Sequence, residues 1–145
     1  MSDISKINFD IDTSDPLATI GVSVLLDNAC VFQTDHLIEL THIDLSVIDD
    51  EGDHELCTVI SGKTTDHTKI DEHGNIIKDV VLNISKVAID GIDVEQLFIE
   101  KCVYTHNFNG TQSEIADTFY GAAGCNGTIS FKFSTPIYLW LLENM

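Results

Sequence analysis

Apolar and polar residues alternate with a period of two along most of this chain. Between Ile7 and Asp12, for example, Ile7, Phe9 and Ile11 would share one face and the polar residues the other. This is the pattern of a β-strand with one buried face. Further segments with whole or partial alternation are 18–26, 37–49, 56–61, 76–90, 98–108 and 127–134. The chain is therefore predicted to consist mainly of strands.

Polar stretches between these segments mark the turns. Residues 49–55 are polar around a central Gly52, so residues 43–61 are predicted to form a hairpin. The Asp90–Gly91 pair, with β-branched residues on both sides, predicts a second hairpin. A short turn or helical segment is expected at 94–97.

The end of the chain carries one more break. Pro136 interrupts the last alternating run, which favours a kink or a new strand at 137–142. No internal repeat or low-complexity linker divides the sequence. Counting the segments gives eight or nine strands, so we predict a single domain over residues 1–145. Its expected fold is an antiparallel β-sandwich or a jelly-roll-like arrangement.

One segment has helical signals. Thr111 and Glu114 have the spacing of a capping box, and Gly121 stands where helices often end. Ile115 and Phe119 would then lie one turn apart on one face. These features predict a short α-helix near residues 112–120 that covers one end of the sheet.

A catalytic interpretation of the following loop is weak. Cys125 could act as a nucleophile with His106 as its base and Asp117 or Glu114 as the orienting acid. A reactive thiol needs an electropositive setting or a helix N-terminus. Cys125 instead follows the predicted C-terminal end of a helix in an acidic protein. We therefore interpret this loop as a turn, and the sequence gives no reason to predict an enzyme.

The charge of the chain excludes some partners. It has 24 acidic residues, seven lysines and no arginine, for a formal net charge of −17. Nucleic acids and anionic membranes attract cationic proteins, so neither is an expected partner. The sequence has no apolar run long enough for a membrane helix and no signal peptide. We expect a soluble protein that is cytoplasmic at synthesis, with four free thiols.

Two acidic loops, 49–55 and 66–75, could gather oxygen ligands for a hard cation such as calcium. Neither matches the spacing of an EF-hand loop. The weak metal-ligand candidates are Asp50, Asp53, Asp66 and Asp71. Solvated turn acids are the simpler interpretation, so no cofactor is predicted and calcium remains the alternative.

The C-terminal run is apolar on both faces if it forms a strand, so something must cover it. The candidate interface residues are Ile137, Tyr138, Leu139, Trp140, Leu141 and Leu142. The cover could come from the predicted helix or from a neighbouring subunit. This run favours protein partners, in a homo-oligomer or in a larger assembly.

These features together predict a non-enzymatic structural or interaction subunit of a larger assembly. Decoration, neck and tail components of bacteriophage virions have this kind of composition, so a virion is a second expected location. The alternative is a β-sandwich module that binds carbohydrate or calcium. That alternative predicts exposed aromatic residues on a concave face, or acids that converge between the two loops.

Overall fold

The computed structural model describes residues 4–14, 20–48, 50–62, 69–70, 72–73, 76–78, 81–106, 114–119, 122–123 and 126–144. It confirms the mainly β fold with two antiparallel sheets. In chain order the elements are β1 (Ile4–Thr13), β2 (Gly21–Leu26), β3 (Ala29–Thr34), β4 (Thr41–Ile48), β5 (Asp53–Ser61), β6 (Lys69–Ile70), β7 (Ile76–Lys78), β8 (Leu82–Ile89), β9 (Ile92–Asp93), α1 (Glu95–Lys101), β10 (Val103–His106), β11 (Ile115–Thr118), β12 (Ala122–Ala123), β13 (Gly127–Ser134) and α2 (Ile137–Asn144).

Sheet A has the strand order β12-β8-β1-β4, with β9 paired to β8, and sheet B has the order β11-β10-β13-β5-β2-β3. Strands β6 and β7 form a separate two-stranded ribbon. The hairpin predicted at 43–61 is wrong, because β4 belongs to sheet A and β5 to sheet B. The Asp90–Gly91 hairpin is confirmed, since Ile89 lies opposite Ile92 in the β8–β9 pair.

Apolar side chains from both sheets form one buried cluster. At its centre, the ring of Phe98 from α1 lies with its centroid 6.5 Å from that of Phe9 in sheet A and 5.0 Å from that of Phe131 in sheet B. Of the turn or helical segment expected at 94–97, the structure shows the helix, α1, which extends to Lys101 and packs between the sheets. Alternation buries one face of β5 and of β13, which leaves their opposite face as the outer surface of sheet B.

The helix predicted near 112–120 is wrong in the part that the structure describes. Residues 115–118 form strand β11, which pairs with β10 so that Val103 lies opposite Thr118. An isolated helix of this length is marginal in water. Backbone pairing with the open edge of β10 therefore prevails over the local capping signals.

The strand predicted at 137–142 is also wrong, because these residues belong to helix α2. Ile137, Trp140 and Leu141 are buried, and their spacing of three and four residues is that of one helical face. Neither described helix is long and apolar enough to cross a membrane.

Candidate functional site

His54 is held between two carboxylates at one end of sheet B. Its ring nitrogens Nδ1 and Nε2 lie 2.6 Å from Asp27 Oδ2 and 2.8 Å from Asp50 Oδ1. The His54 side chain is only 7% exposed, and its ring stacks on Phe133 with the centroids 5.5 Å apart. Carboxylates only accept hydrogen bonds, so both ring nitrogens must donate. This arrangement requires the imidazolium form of His54.

The same carboxylates tie neighbouring segments together. Asp27, in the turn between β2 and β3, accepts a hydrogen bond from the Glu55 N–H at 2.9 Å. Asp50 Oδ1 also accepts from the Gly52 N–H at 3.1 Å and from Thr135 Oγ1 at 3.0 Å. We call His54 with Asp27, Asp50 and Thr135 the His54 clamp. It joins the β2–β3 turn, the segment before β5 and the end of β13.

The electrostatics agree with this geometry. Burial opposes protonation of His54, but hydrogen bonds to Asp27 and Asp50 outweigh it and raise the pKa of His54 above 6.5. Partial burial would raise the pKa of Asp27, yet the bonds from His54 and from the Glu55 amide lower it below 3.8. Hydrogen bonds from His54 and Thr135 lower the pKa of Asp50 in the same way. Each charge therefore stabilises its partners.

The clamp resembles a nucleophilic triad only in its residue types. Thr135, His54 and Asp27 offer a hydroxyl, an imidazole and a carboxylate. The Thr135 hydroxyl is 3.5 Å from His54 Nε2, but Asp50 occupies that nitrogen at 2.8 Å. Thr135 is also only 5% exposed. The hydroxyl can neither give its proton to the ring nor reach a substrate, so the arrangement is structural.

The catalytic residues considered from the sequence are described only in part. Cys125 lies outside the described residues. His106 is buried and stacks on Tyr104 with the ring centroids 4.4 Å apart. Cys30, Cys57 and Cys102 are free thiols, and burial raises the pKa of Cys102. A raised pKa makes a thiol less reactive.

An open groove of about 520 Å³ lies on the outer face of sheet B. We call it the sheet groove, and strands β5, β10 and β13 form its floor. Its principal polar side chains are Glu55, Lys101, Thr105, Thr128, Ser130 and Lys132. Ser130 Oγ donates a hydrogen bond of 2.7 Å to Glu55 Oε2, which fixes the carboxylate within the groove.

The sheet groove is balanced in charge, unlike the rest of the protein. Glu55 and Glu114 supply two carboxylates, and Lys101 and Lys132 supply two ammonium groups. Their formal charges cancel, whereas the whole chain carries −17. Burial, together with the nearby Glu55, raises the pKa of Cys57 in the groove floor, so its thiol stays protonated and neutral.

A second open cavity, of about 500 Å³, lies beside the His54 clamp. We call it the end pocket, and its lining includes Asp27, Asp53, His54, Phe133, Ser134 and Trp140. Acids and a hydroxyl form one wall. Phe133 and Trp140 border the pocket while remaining largely buried in the core, and Trp140 comes from helix α2.

The acids predicted as weak metal ligands do not fit a calcium site where the structure describes them. Asp50 Oδ1 already accepts three hydrogen bonds within the His54 clamp. The imidazolium beside it would repel a second cation. Asp53 is exposed in the end pocket, and Asp66 and Asp71 lie outside the described residues. Within the described ranges, no group of three or more His, Cys, Asp or Glu could hold a metal ion.

The predicted interface segment is divided between core and surface. Three of its residues are buried on one side of α2, namely Ile137, Trp140 and Leu141. The other three are exposed, namely Tyr138, Leu139 and Leu142. An interface role for the exposed three stays a prediction.

Neither a protein-family model nor a curated protein matches the sequence significantly. Two solved structures share the fold. One is the selenomethionine form of vCBM60, from work on two families of calcium-dependent carbohydrate-binding modules linked by circular permutation. It is 13% identical, with a TM-score of 0.54 over 88% of this chain and 89% of that chain. The other is vCBM60 in complex with galactobiose, 13% identical, with a TM-score of 0.53 over 87% and 96% of the two chains.

These neighbours correct the prediction about partners. That prediction named proteins, in a homo-oligomer or an assembly. It is wrong, because both matching structures are of vCBM60, a carbohydrate-binding module, and one of them holds galactobiose. They give no support to a virion component. The physical source of the error is the apolar segment 137–142, half of which is core of this chain rather than surface. At 13% identity, the likeness establishes the β-sandwich fold.

Proposed function

We propose that this chain is a non-enzymatic carbohydrate-binding module that holds a neutral sugar in the sheet groove. The observation that carries the proposal is the lining of the groove, which combines hydroxyls with two carboxylates and two ammonium groups of zero net charge. The carbohydrate-binding function of proteins with this fold supports it.

The lining matches the chemistry of a sugar. Each sugar hydroxyl both donates and accepts hydrogen bonds, and the groove offers partners of both kinds. Glu55 accepts, Lys132 donates, and Thr105 and Thr128 can do either. The volume of about 520 Å³ lies within the range of small-molecule sites.

The charge distribution favours a neutral ligand. A protein with a formal charge of −17 repels anionic sugars at long range. Within the groove the charges cancel, so an uncharged sugar meets no such barrier. No aromatic side chain of the described residues lines the groove. Affinity therefore depends on hydrogen bonds exchanged with water, which contribute about 0.5–1.5 kcal/mol each.

An NMR titration tests the proposal. Galactobiose, xylobiose and cellobiose are added to labelled protein at millimolar concentration, once with calcium and once with EDTA. Binding should shift the signals of Thr105, Thr128 and Ser130. Glu55→Gln should weaken binding by about tenfold, since it removes the charge from one hydrogen bond. Glu39→Gln, at an exposed position outside the groove, is the matched control and should change nothing.

Two results would overturn this function. One is the absence of shifts at the groove residues with all three sugars. The other is binding that disappears in EDTA and shifts other residues, which would place the sugar at a metal outside the described part of the chain.

A further inference from the structure

The sheet groove and the end pocket share two side chains, Glu55 and Lys132. These residues lie opposite each other in the pairing of β5 with β13. Cavities that share lining residues are adjacent, and we call the two together the cleft. The pair Glu55 and Lys132 lies where the two cavities meet.

The cleft runs parallel to β13. Thr128 and Ser130 line the sheet groove, Lys132 lines both cavities, and Ser134 lines the end pocket. These alternate residues face the same side of the sheet. A strand advances about 3.3 Å per residue, so the distance from Thr128 to Ser134 is roughly 20 Å. Several pyranose rings in a row fit this length, whereas a disaccharide fills only part of it.

The chemistry also repeats along the cleft. Strand β13 presents a hydroxyl, a second hydroxyl, an ammonium group and a third hydroxyl at successive outward positions. Opposite them, β5 presents Glu55 across from Lys132 and Asp53 across from Ser134. A regular row of polar groups suits a ligand that repeats its own hydroxyls.

We infer that the whole cleft binds one linear, neutral oligosaccharide, with consecutive segments in the sheet groove and in the end pocket. This inference rests on the proposed function and narrows its ligand to glycans longer than a disaccharide. The outward row of polar residues on β13 runs in one direction, which favours an unbranched chain.

Calorimetric titration with galacto-, xylo- and cello-oligosaccharides of two, four and six units tests the inference. Affinity should rise by about tenfold from the disaccharide to the tetrasaccharide in the series that binds. Asp53→Asn, in the end pocket, should weaken the tetrasaccharide by about fivefold, and by more than it weakens the disaccharide. Asp35→Asn, at an exposed position that lines neither cavity, is the matched control and should leave both affinities unchanged.

Each result separates the two proposals. Equal affinities for disaccharide and tetrasaccharide would refute the extended cleft and leave the groove as the site. A tetrasaccharide affinity that Asp53→Asn leaves unchanged would place the additional rings elsewhere, and it would also refute the extended cleft. No binding in any series would remove the proposed function and this inference together.

Discussion

Replacing His54 by phenylalanine tests the clamp at the end of sheet B. Phenylalanine keeps a flat ring against Phe133 but removes both hydrogen bonds to the carboxylates. Asp27 and Asp50 are then left without their cation. The volume change is small, so cavity formation contributes little, and the result reports mainly on the charged hydrogen bonds.

The magnitude follows from the exposure of the partners. A hydrogen bond to a charged group contributes about 1.5–3 kcal/mol when it is buried. Here the histidine side chain is 7% exposed, while those of Asp27 and Asp50 are 45% and 56% exposed. The aspartates regain water when His54 is replaced, which reduces the loss. We expect His54→Phe to lower the free energy of unfolding by about 2 kcal/mol near pH 5.5.

The loss should depend on pH with a definite sign. The pKa of His54 is raised above 6.5, so its stabilising contribution is complete below pH 6.5 and disappears as pH rises through the raised value. The pKa values of Asp27 and Asp50 are lowered below 3.8. Their contribution is complete above pH 3.8 and disappears as pH falls through the lowered values. The clamp is therefore strongest between about pH 4 and 6.5.

Urea unfolding of both proteins between about pH 5 and 9 measures this dependence. The difference between His54→Phe and the wild type should be largest at the acidic end and shrink as pH rises. Using the difference removes the contribution of His42, whose pKa is raised in the same direction. A constant difference across the range would refute the buried imidazolium, as would a variant as stable as the wild type near pH 5.5.

Three further predictions test the fold. Gly127→Ala should lower the free energy of unfolding in urea by about 2 kcal/mol, because the added Cβ would overlap with the Thr105 carbonyl oxygen; unchanged stability would contradict the β10–β13 register. Asp10→Asn should return the pKa of His42 towards 6.5 in an NMR titration, since the hydrogen bond that His42 donates to Asp10 is the main cause of its elevation; a pKa that stays raised would contradict this cause. Trp140→Ala should cost about 3 kcal/mol in urea unfolding; a loss well below that would show that α2 does not pack on the core.

The strands of sheet B illustrate what alternation can predict. In β5 the buried residues are His54, Leu56, Thr58 and Ile60, and the outward ones alternate with them as the sequence indicates. Strand β3 was not predicted, although the sequence before it contains a turn signal, Asp27–Asn28. Asp27 and Asn28 have positive φ values of 50° and 69°, as a two-residue hairpin turn requires. Aspartate and asparagine are the residues, after glycine, that tolerate this conformation.

Local signals failed where tertiary contacts decide the conformation. Ile115 and Phe119 have a helical spacing, but the open edge of β10 recruits residues 115–118 into the sheet. Ile137, Trp140 and Leu141 also have a helical spacing, and there the helix forms because that face packs on the core. The two patterns look alike in the sequence, and only the neighbouring surface distinguishes them.

The site depends on strand pairing, which a single sequence does not specify. Lys132 meets Glu55 because β13 pairs with β5 in one register. A shift of one residue would turn every outward side chain to the core. His54 likewise reaches Asp27 only because the β2–β3 turn lies beside the start of β5. The sequence shows that segment 49–55 is acidic. It does not show that Asp50 in this segment accepts a hydrogen bond from the imidazolium of His54.

The uneven distribution of charge links the clamp to the proposed ligand. Two of the seven lysines lie in the cleft, where Lys101 and Lys132 balance two glutamates. The surrounding acidity repels polyanions but exerts no net force on a neutral glycan. Asp27 and Asp50 do not add to an open acidic site, because the imidazolium of His54 neutralises part of their charge and occupies their hydrogen-bonding oxygens. The same internal cation that stabilises the end of sheet B therefore lowers the negative charge beside the end pocket, which agrees with the uncharged ligand of the proposed function.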